Sequence, residues 1–277
     1  MPELPEVETI ARGLRALLGG KTIRSCLCRC PRIVEGDLLD FSRAVVGRKI
    51  EGIQRHGKYL FFLLSGPLTV SLHLRMTGQI LMAGLDLRPD KHTHLEFFFA
   101  GTEEKKLIYR DVRKFGRFQL LESGGWAEFV ARKGLGPDAL GVRRKQVEAR
   151  FRQSRRALKA VLLDQTVLAG LGNIYTDESL FRAGLLPQQR AERLRCDQIR
   201  FLLATVRQVL RAALAKRGTT ISDFVDANGD RGRFQPELLV YGRQGKPCRK
   251  CGRPILRALV AGRGTFYCPA CQSQADG

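Results

Sequence analysis

The feature that most constrains this 277-residue chain is a pair of Cys-x-x-Cys motifs near its end. Cys248 and Cys251 form the first motif, and after sixteen intervening residues Cys268 and Cys271 form the second. Two such turns can supply four thiolates to one tetrahedral Zn²⁺ site, and four cysteine ligands leave no open position for a substrate. The spacing therefore predicts one structural Zn²⁺ per chain, and no pattern in the sequence indicates an organic cofactor.

The segment between the two motifs predicts a β-hairpin that turns near Gly262-Arg263-Gly264. From Tyr241 onward the chain contains seven Lys or Arg residues and one Asp. A basic finger of this kind suits contact with the phosphates of a nucleic acid. The alternative is that the finger only holds the protein together, as many zinc ribbons do.

Charge gives the first indication of a partner. Lys plus Arg number 48 against 27 Asp plus Glu, which gives a formal charge of +21. The charge could serve solubility or attraction to a membrane surface, but the sequence contains no basic block and no basic amphipathic anchor. A folded surface that binds nucleic acid is favoured. The length and the 44% hydrophobic content predict two or more domains with proper cores.

The sequence also bears on location. No apolar run approaches the ~18 residues of a membrane span. The first residues include Glu3, Glu6 and Glu8, the opposite of a signal or transit peptide. We expect a cytoplasmic protein without membrane contact, whose cysteines are reduced thiols or metal ligands. Four of the eight cysteines lie outside the zinc motifs and are interpreted as free thiols; they are Cys26, Cys28, Cys30 and Cys196.

The N-terminus carries an unusual amine. We expect Met1 to be removed before the small residue Pro2, which leaves a secondary amine beside the carboxylate of Glu3. A free α-amino group has a pKa of about 8, so part of it is unprotonated and nucleophilic near neutral pH. Most chain ends are frayed and have no role. Helical spacing over residues 5–18 predicts a helix that would hold this terminus in place.

Hydrophobic periodicity divides the rest of the chain. Between residues 22 and 121, short alternating stretches predict an antiparallel β-sandwich or barrel. The predicted strands are residues 49–53, 58–64, 69–76, 94–99, 107–109 and 117–121. After a Gly-Pro-rich passage at 134–138 the pattern becomes helical, with helices predicted at 146–163, 173–182 and 194–216.

Three local patterns could bind DNA. Gly170-Leu171-Gly172 leads into a helix that Asn173 is predicted to cap, where free N–H groups favour an anion. Four basic side chains on the preceding segment could complete a phosphate clamp: Arg152, Arg155, Arg156 and Lys159. Met76 and the run of residues 111–116 could wedge into a duplex that has lost a base from its stack. The alternatives are a turn between packed helices for the first pattern and core packing for Met76 and Phe115.

Together these pieces resemble the bacterial formamidopyrimidine-DNA glycosylase family. The resemblance covers nearly the whole chain through motifs in one order. They are Pro-Glu-Leu-Pro-Glu-Val-Glu-Thr at 2–9, Gly57-Lys58-Tyr59, His73-Leu74-Arg75-Met76-Thr77-Gly78, Asp111 to Gly116, Leu171 to Tyr175, Leu238 to Gly242, and Gly262-Arg263-Gly264-Thr265-Phe266-Tyr267-Cys268.

The resemblance implies an α+β multidomain fold. An antiparallel β-sandwich with an N-terminal helix would span 1–133, a helix-two-turns-helix domain 134–237 with a lesion loop at about 219–236, and a zinc finger 238–277. It implies a monomeric, bifunctional enzyme of base excision repair that acts on damaged double-stranded DNA. The enzyme would remove oxidised purines, 8-oxoguanine and formamidopyrimidines, and then cut the strand by β,δ-elimination as an AP lyase.

The resemblance also implies residue roles. Pro2 would be the nucleophile that forms an iminium with the sugar, and Glu3 the acid that helps open the ring. Lys58 and Arg263 would bind the flanking phosphates and assist elimination. The other implied DNA contacts are His92, Arg155 and Asn173, with Met76, Arg113 and Phe115 filling the vacated stack. The chain departs from the family pattern at Val112, where Pro is common, and at Arg155, where Lys is common.

Two other functions stay open from the sequence. An endonuclease VIII-like glycosylase would act on oxidised pyrimidines, and the Pro2-Glu3-Leu4-Pro5 start with the two cysteine motifs favours the purine enzyme instead. A catalytically silent DNA-binding zinc protein could keep the same fold. The joint presence of Pro2, Glu3, Lys58 and Arg263 argues against it, because binding requires no terminal proline.

Overall fold

The computed structural model describes residues 1–101, 104–121 and 125–273, and the chain divides into two compact units. The first unit comprises Met1–Lys133 with Lys216–Arg233, and the second comprises Gly134–Ala215 with Phe234–Gly277. No helix among the described residues has both the length and the apolar character needed to cross a membrane.

Among its described residues the first unit contains two sheets, three α-helices and a short 3-10 helix, Pro31–Ile33. Its elements are α1 (Leu4–Leu18), β1 (Ile23–Cys28), β2 (Val34–Glu35), α2 (Leu38–Val45), β3 (Ile50–His56), β4 (Tyr59–Leu64), β5 (Thr69–His73), β6 (Gly78–Gly84), β7 (Thr93–Phe99), β8 (Lys105–Asp111), β9 (Arg117–Leu121) and α3 (Gly125–Arg132). One sheet has the order β1-β7-β8-β6, and the other has the order β2-β9-β5-β4-β3. Only the short β2–β9 pair is parallel among the described strands.

The two sheets share one apolar core, which confirms the predicted sandwich. Phe97 of β7, Phe62 of β4 and Phe118 of β9 belong to the same buried cluster, together with Leu14 of α1. The alternation of apolar and polar residues along the strands produced this layer, because alternate side chains of a strand point to one face. Helix α2 was not predicted, although Asp37 caps it by accepting hydrogen bonds from the N–H groups of residues 39 and 40.

Helix α1 confirms the prediction for residues 5–18. Pro5 lies in its first turn, where the missing N–H costs nothing, and Gly19 ends it. Glu3 and Glu6 form a capping box: the Glu6 carboxylate accepts a hydrogen bond from Glu3 N–H at 2.8 Å. The N-terminal residues are therefore part of a capped, buried helix start.

The second unit contains four helices and one hairpin among its described residues. They are α4 (Arg144–Arg152), α5 (Leu158–Leu163), α6 (Asn173–Ala183), α7 (Cys196–Ala215), β10 (Leu256–Val260) and β11 (Arg263–Tyr267). Helix α6 matches the prediction for 173–182, α7 matches 194–216 within two residues, and the predicted hairpin is present.

The prediction of a single helix over 146–163 is wrong. The helix stops after Arg152 and a new one starts at Leu158. Between them the backbone pairs with a distant segment: Ala157 bridges Arg190, and Leu158 N–H donates to Gln189 at 2.7 Å. Helical periodicity continues across the break, so local pattern could not reveal a backbone pairing with residues some thirty positions away.

The segment Lys216–Arg233 belongs to the first unit by its contacts. Phe224 and Ala227 join the sandwich core, and Met82 N–H of β6 donates to the Ala227 carbonyl at 2.9 Å. Thr219 N–H donates to the Glu6 carboxylate of α1 at 2.7 Å. This segment contains most of the predicted lesion loop, so the loop is built against the same unit as the N-terminus.

Candidate functional site

The N-terminal residues of the first unit are held by one buried carboxylate. Pro2 is buried and Glu3 is 2% exposed. One oxygen of Glu6 accepts the Glu3 N–H, which belongs to the peptide group immediately after Pro2. The other oxygen accepts the Thr219 N–H. Glu6 thereby joins the predicted nucleophile to the predicted lesion loop, a role that sequence reasoning missed.

Lys58 lies on an element that is tied to this helix. It follows Gly57 in the tight turn between β3 and β4 and is buried. Arg55 donates to the Gly57 carbonyl at 2.9 Å and forms an ion pair with Glu8 of α1 at 2.8 Å. Burial raises the pKa of Glu8, but its hydrogen bonds with Arg55 and Arg12 lower it by more. The pKa of Glu8 therefore lies below its usual value. The buried ion pair therefore connects the element bearing Lys58 with the helix that begins at Pro2-Glu3.

The turn after β5 presents Met76. His73 accepts the Arg75 N–H on Nδ1 at 3.0 Å, and Arg75 adopts the left-handed conformation with φ 54°. Burial, together with the charges of Arg75 and Lys58, lowers the pKa of His73 to about 3, so the ring is a neutral acceptor at neutral pH. Met76 is 41% exposed, which favours the predicted wedge over core packing.

The turn between β8 and β9 presents Arg113 and Phe115. The Arg113 guanidinium lies over the Phe115 ring, 4.6 Å from its centroid, and Phe115 is 39% exposed. An aromatic ring left in water beside a cation is available to stack on bases. His92 precedes β7 on the same sheet, and its backbone N–H donates to the Asp90 carboxylate at 3.1 Å.

In the second unit, Asn173 and the finger hairpin meet. The prediction that Asn173 caps the helix is wrong: Gly172 is the N-cap residue, without a side chain to cap with, and Asn173 is the first residue of α6. The Asn173 Nδ2 instead donates to the Gly264 carbonyl at 2.8 Å. Gly264 follows Arg263, whose exposed side chain lies at the start of β11. The side-chain oxygen Oδ1 of Asn173 is buried and has no hydrogen-bond partner among the described residues.

The predicted phosphate clamp is only partly correct. Lys159 is fully buried: its ammonium pairs with Asp177 at 2.7 Å and donates to the Gly264 carbonyl at 3.3 Å. Asp177 also accepts the Phe266 N–H at 2.9 Å, so the pair binds the backbone of β11 at two alternate residues, Gly264 and Phe266. The sequence predicted an exposed Lys159, because its partner Asp177 lies eighteen residues further along the chain and no local pattern relates the two.

The remaining clamp residues are separate from this pair. Arg155 has an 86% exposed side chain, 3.8 Å from Glu192, and is free to reach a phosphate. Arg156 forms an ion pair with Asp164 at 2.9 Å, and Arg152 contacts Cys196. The structure therefore groups Asn173 with the hairpin of Arg263, whereas Arg155 lies beside Glu192.

The four motif cysteines come together. Their sulfur atoms lie within 4.8 Å of one another, with Cys248–Cys271 at 3.9 Å and Cys251–Cys268 at 3.5 Å. Thiolates about 2.3 Å from a tetrahedral zinc are roughly 3.8 Å apart, so this arrangement fits Zn²⁺. Among the described residues this is the one group of three or more His, Cys, Asp or Glu side chains close enough to hold a metal. The finger therefore supplies one structural zinc site.

The other cysteines have no such arrangement. Cys26, Cys28 and Cys30 pack partly buried against the sandwich core, and burial raises the pKa of Cys26 to about 12. A thiol with such a pKa is unreactive at neutral pH. The interpretation as free thiols agrees with the structure, in which none of the eight cysteines forms a disulfide.

Comparison with known proteins shows which family this chain resembles. Three family models match: the formamidopyrimidine-DNA glycosylase N-terminal domain at residues 1–118, the H2TH domain of the same enzymes at 135–225, and the zinc finger found in FPG and IleRS at 245–274. Together they span most of the chain.

Full-length relatives agree with these matches. The formamidopyrimidine-DNA glycosylase of Desulfitobacterium hafniense (strain DSM 10664 / DCB-2) is 43% identical over 275 residues, which cover 98% of this chain and 100% of that protein. That of Bacillus subtilis (strain 168) is 40% identical over 278 residues, which cover 99% of this chain and 100% of that protein.

Solved structures give the same result. Wild-type Lactococcus lactis Fpg in complex with DNA containing N7-benzyl-Fapy-dG is 38% identical, with a TM-score of 0.92 and coverage of 99% of this chain and 100% of that one. Its complex with DNA containing an abasic site has a TM-score of 0.92 at 38% identity and covers 98% and 100% of the two chains. This chain belongs to the formamidopyrimidine-DNA glycosylase family.

Proposed function

We propose that this protein is a base-excision DNA glycosylase and AP lyase that removes formamidopyrimidines and 8-oxoguanine from double-stranded DNA. The observation that carries the proposal is the buried start of α1, where Glu6 holds the peptide group that follows Pro2. Most chain ends are frayed, whereas this one is held in place, as a reacting amine requires. The family relation supplies the substrate class, because the Lactococcus lactis relative was solved with Fapy-dG-type and abasic DNA.

The chemistry follows from a secondary amine at Pro2, exposed once Met1 is removed. The amine attacks the sugar C1′ while the bond from C1′ to the base breaks, and the base leaves with the proton that the amine gives up. The nitrogen lone pair then forms the C=N bond as the C1′–O4′ bond opens and Glu3 donates a proton to the ring oxygen. The product is an iminium between Pro2 and the opened sugar. Covalent capture of this kind replaces one difficult step by two easier ones.

Strand cleavage uses the same iminium as an electron sink. It acidifies the C2′ proton, whose loss expels the 3′-phosphate, and a second elimination expels the 5′-phosphate. Lys58 and Arg263 would bind these phosphates and favour their departure, because cations stabilise the charge that develops on the leaving oxygens. No step needs a redox or organic cofactor, and Zn²⁺ would only stabilise the finger.

DNA contacts complete the proposal. Asn173 at the start of α6, His92 and the exposed Arg155 would bind phosphates, which position the duplex without reading its sequence. Met76, Arg113 and Phe115 would fill the space left by the extruded nucleotide. Along the sequence we assign the sandwich to 1–133, the helical domain to 134–237 and the finger to 238–277. The lesion loop at about 219–236 would lie mainly against the sandwich, because residues 216–233 pack with the first unit. The protein would act on chromosomal DNA in the bacterial cytoplasm, within the nucleoid.

Borohydride trapping tests the proposal. Protein confirmed by mass spectrometry to begin at Pro2 is incubated with duplexes that carry 8-oxoguanine, a formamidopyrimidine, an oxidised pyrimidine or an abasic site. We expect a covalent adduct with the two purine lesions and the abasic site. A preference for the oxidised pyrimidine would overturn the lesion assignment, and the absence of any adduct would overturn the enzyme.

Two variants test the role of the terminal amine. Pro2→Gly and a chain with one alanine inserted before Pro2 should lose the adduct and strand cleavage. Both should bind DNA containing a tetrahydrofuran abasic analogue within a few-fold of the wild type, because the phosphate contacts lie elsewhere. Retained trapping in the extended chain would show that another amine is the nucleophile.

A further inference from the structure

The three predicted wedge side chains arise from two turns, and both turns close on one carboxylate. Met76 lies between β5 and β6, whereas Arg113 and Phe115 lie between β8 and β9. Asp111, the last residue of β8, is 1% exposed and pairs directly with Gly78, the first residue of β6. The end of this strand pair is therefore where the two turns meet.

The two oxygens of the Asp111 carboxylate accept hydrogen bonds from both turns. Oδ1 accepts from the Thr77 hydroxyl of the Met76 turn and from the Arg113 N–H at 3.1 Å. Oδ2 accepts from the Tyr109 hydroxyl at 3.0 Å and from the Gly116 N–H at 2.8 Å. One side chain thus holds the residue after Met76 and both ends of the Arg113–Phe115 turn.

The Asp111 backbone also forms hydrogen bonds, one of them with His92. Its N–H donates to the His92 carbonyl at 3.0 Å, and its carbonyl accepts from His94 Nε2 at 2.8 Å and from Lys114 N–H at 3.3 Å. Lys114 adopts the left-handed conformation with φ 55°. A sharply turned backbone of this kind persists only where its surroundings specify it.

The backbone of both turns packs closely against Tyr109. A Cβ atom at Gly116 would overlap the Tyr109 hydroxyl, and one at Gly78 would clash with the same hydroxyl and with the Leu74 carbonyl. Both turns therefore approach the hydroxyl that donates to Asp111. The carboxylate remains an ionised acceptor: burial raises the pKa of Asp111, but the hydrogen bonds from Thr77, Gly116, Tyr109 and Arg113 together lower it by more.

We propose that Asp111 is a positioning residue that fixes Met76, Arg113 and Phe115 as one rigid wedge, with Tyr109 as its support. The proposal rests on the function given above. A wedge matters only where an extruded nucleotide leaves a gap opposite a stacked partner strand. Asp111 should therefore matter for excision from a duplex and not for elimination at an abasic site in a single strand.

Asp111→Asn separates these activities because an amide cannot replace the carboxylate. The hydroxyls of Thr77 and Tyr109 can rotate and accept from the new NH₂, but the backbone N–H groups of Arg113 and Gly116 cannot. Either orientation of the amide leaves one of these two N–H groups facing another donor. Loss of one such charged hydrogen bond corresponds to a rate loss on the order of 10-fold to 100-fold.

The experiment compares two substrates in single-turnover kinetics. Asp111→Asn should slow excision of 8-oxoguanine from a duplex on the order of 10-fold to 100-fold. Cleavage of a single-stranded abasic oligonucleotide should change less than about 2-fold. Tyr109→Phe, which removes one of the four donors, should show the same pattern with a smaller loss. A 2-aminopurine beside the lesion should lose its wedge-induced fluorescence change in parallel.

The control is Asp37→Asn, the same substitution at a carboxylate that accepts two backbone N–H groups at the start of α2. It should leave both activities unchanged. Unchanged duplex excision in Asp111→Asn, or equal losses on both substrates in Asp111→Asn and Tyr109→Phe, would overturn the wedge proposal. Inactivity of the wild type on every substrate would instead overturn the proposed function.

Discussion

The buried ion pair of the second unit makes a quantitative prediction about stability. Lys159 and Asp177 are both fully buried, and their charged atoms are 2.7 Å apart. Asp177→Asn keeps an oxygen that can accept the Phe266 N–H but removes the negative charge. The Lys159 ammonium then stays in the interior without its counter-charge.

The expected cost follows from that burial. Removing one partner of a buried pair destabilises a protein by about 3–5 kcal/mol, a large part of the roughly 5–15 kcal/mol that holds a domain folded. For a unit of this size the melting temperature should fall by roughly 10 °C or more. The loss should shrink as the pH rises, because a buried ammonium without a partner releases its proton more readily.

Two comparison variants make the assay decisive. The double variant Lys159→Met/Asp177→Asn removes both charges and should return to within about 1–2 kcal/mol of the wild type. Asp164→Asn weakens the ion pair with Arg156, whose side chain is 52% exposed, and should cost less than about 1 kcal/mol. Urea denaturation monitored by circular dichroism measures all three. A loss in Asp177→Asn no larger than in Asp164→Asn would refute the reasoning.

Three further predictions concern the first unit and the finger. Removal of zinc by a chelator should release about one Zn²⁺ per chain and abolish binding to abasic-analogue DNA, as metal analysis and a gel-shift assay would show, because the metal holds the finger folded. Glu6→Gln replaces an acceptor shared by the N–H groups of Glu3 and Thr219 and should lower the stability of the first unit by about 1–3 kcal/mol in urea titrations, whereas Glu51→Gln on the surface should not. The pKa of His73 is lowered to about 3, so below about pH 6.5 the unfolded chain binds a proton that the folded chain does not. The free energy of unfolding should therefore fall by about 2 kcal/mol between pH 7 and pH 5. A weaker dependence of this free energy on pH in His73→Gln would support the assignment.

Much of the candidate site could be predicted from local patterns. The cysteine spacing predicted the metal site, because each pair binds from one tight turn and needs only short-range geometry. The capped helix at the N-terminus and the start of α6 at Asn173 followed from helix-end signals. The exposure of Met76 and Phe115 agrees with the wedge interpretation that the motifs favoured.

The anchors behind these residues could not be predicted in the same way. Glu6 looks like an ordinary acid in the first turn of a helix, and its bond to Thr219 spans 213 positions. Asp111 reads as a turn residue, although its carboxylate joins turns 34 positions apart. From the sequence Lys159 looks like a surface cation, but in the structure it is buried between α6 and the hairpin.

The sequence by itself therefore determined the elements of this protein that depend on spacing and periodicity: the zinc motif, most helix ends, the alternating strands and the helix that begins after Pro2 and Glu3. Tertiary structure alone decided where the helix predicted over 146–163 breaks, which unit holds the segment after α7, and which backbone groups the buried carboxylates of Glu6 and Asp111 bind. The physical reason is that a buried charge or backbone group is satisfied by whatever partner the fold brings within hydrogen-bond distance. Such partners lie far apart in the chain, and no local pattern records them.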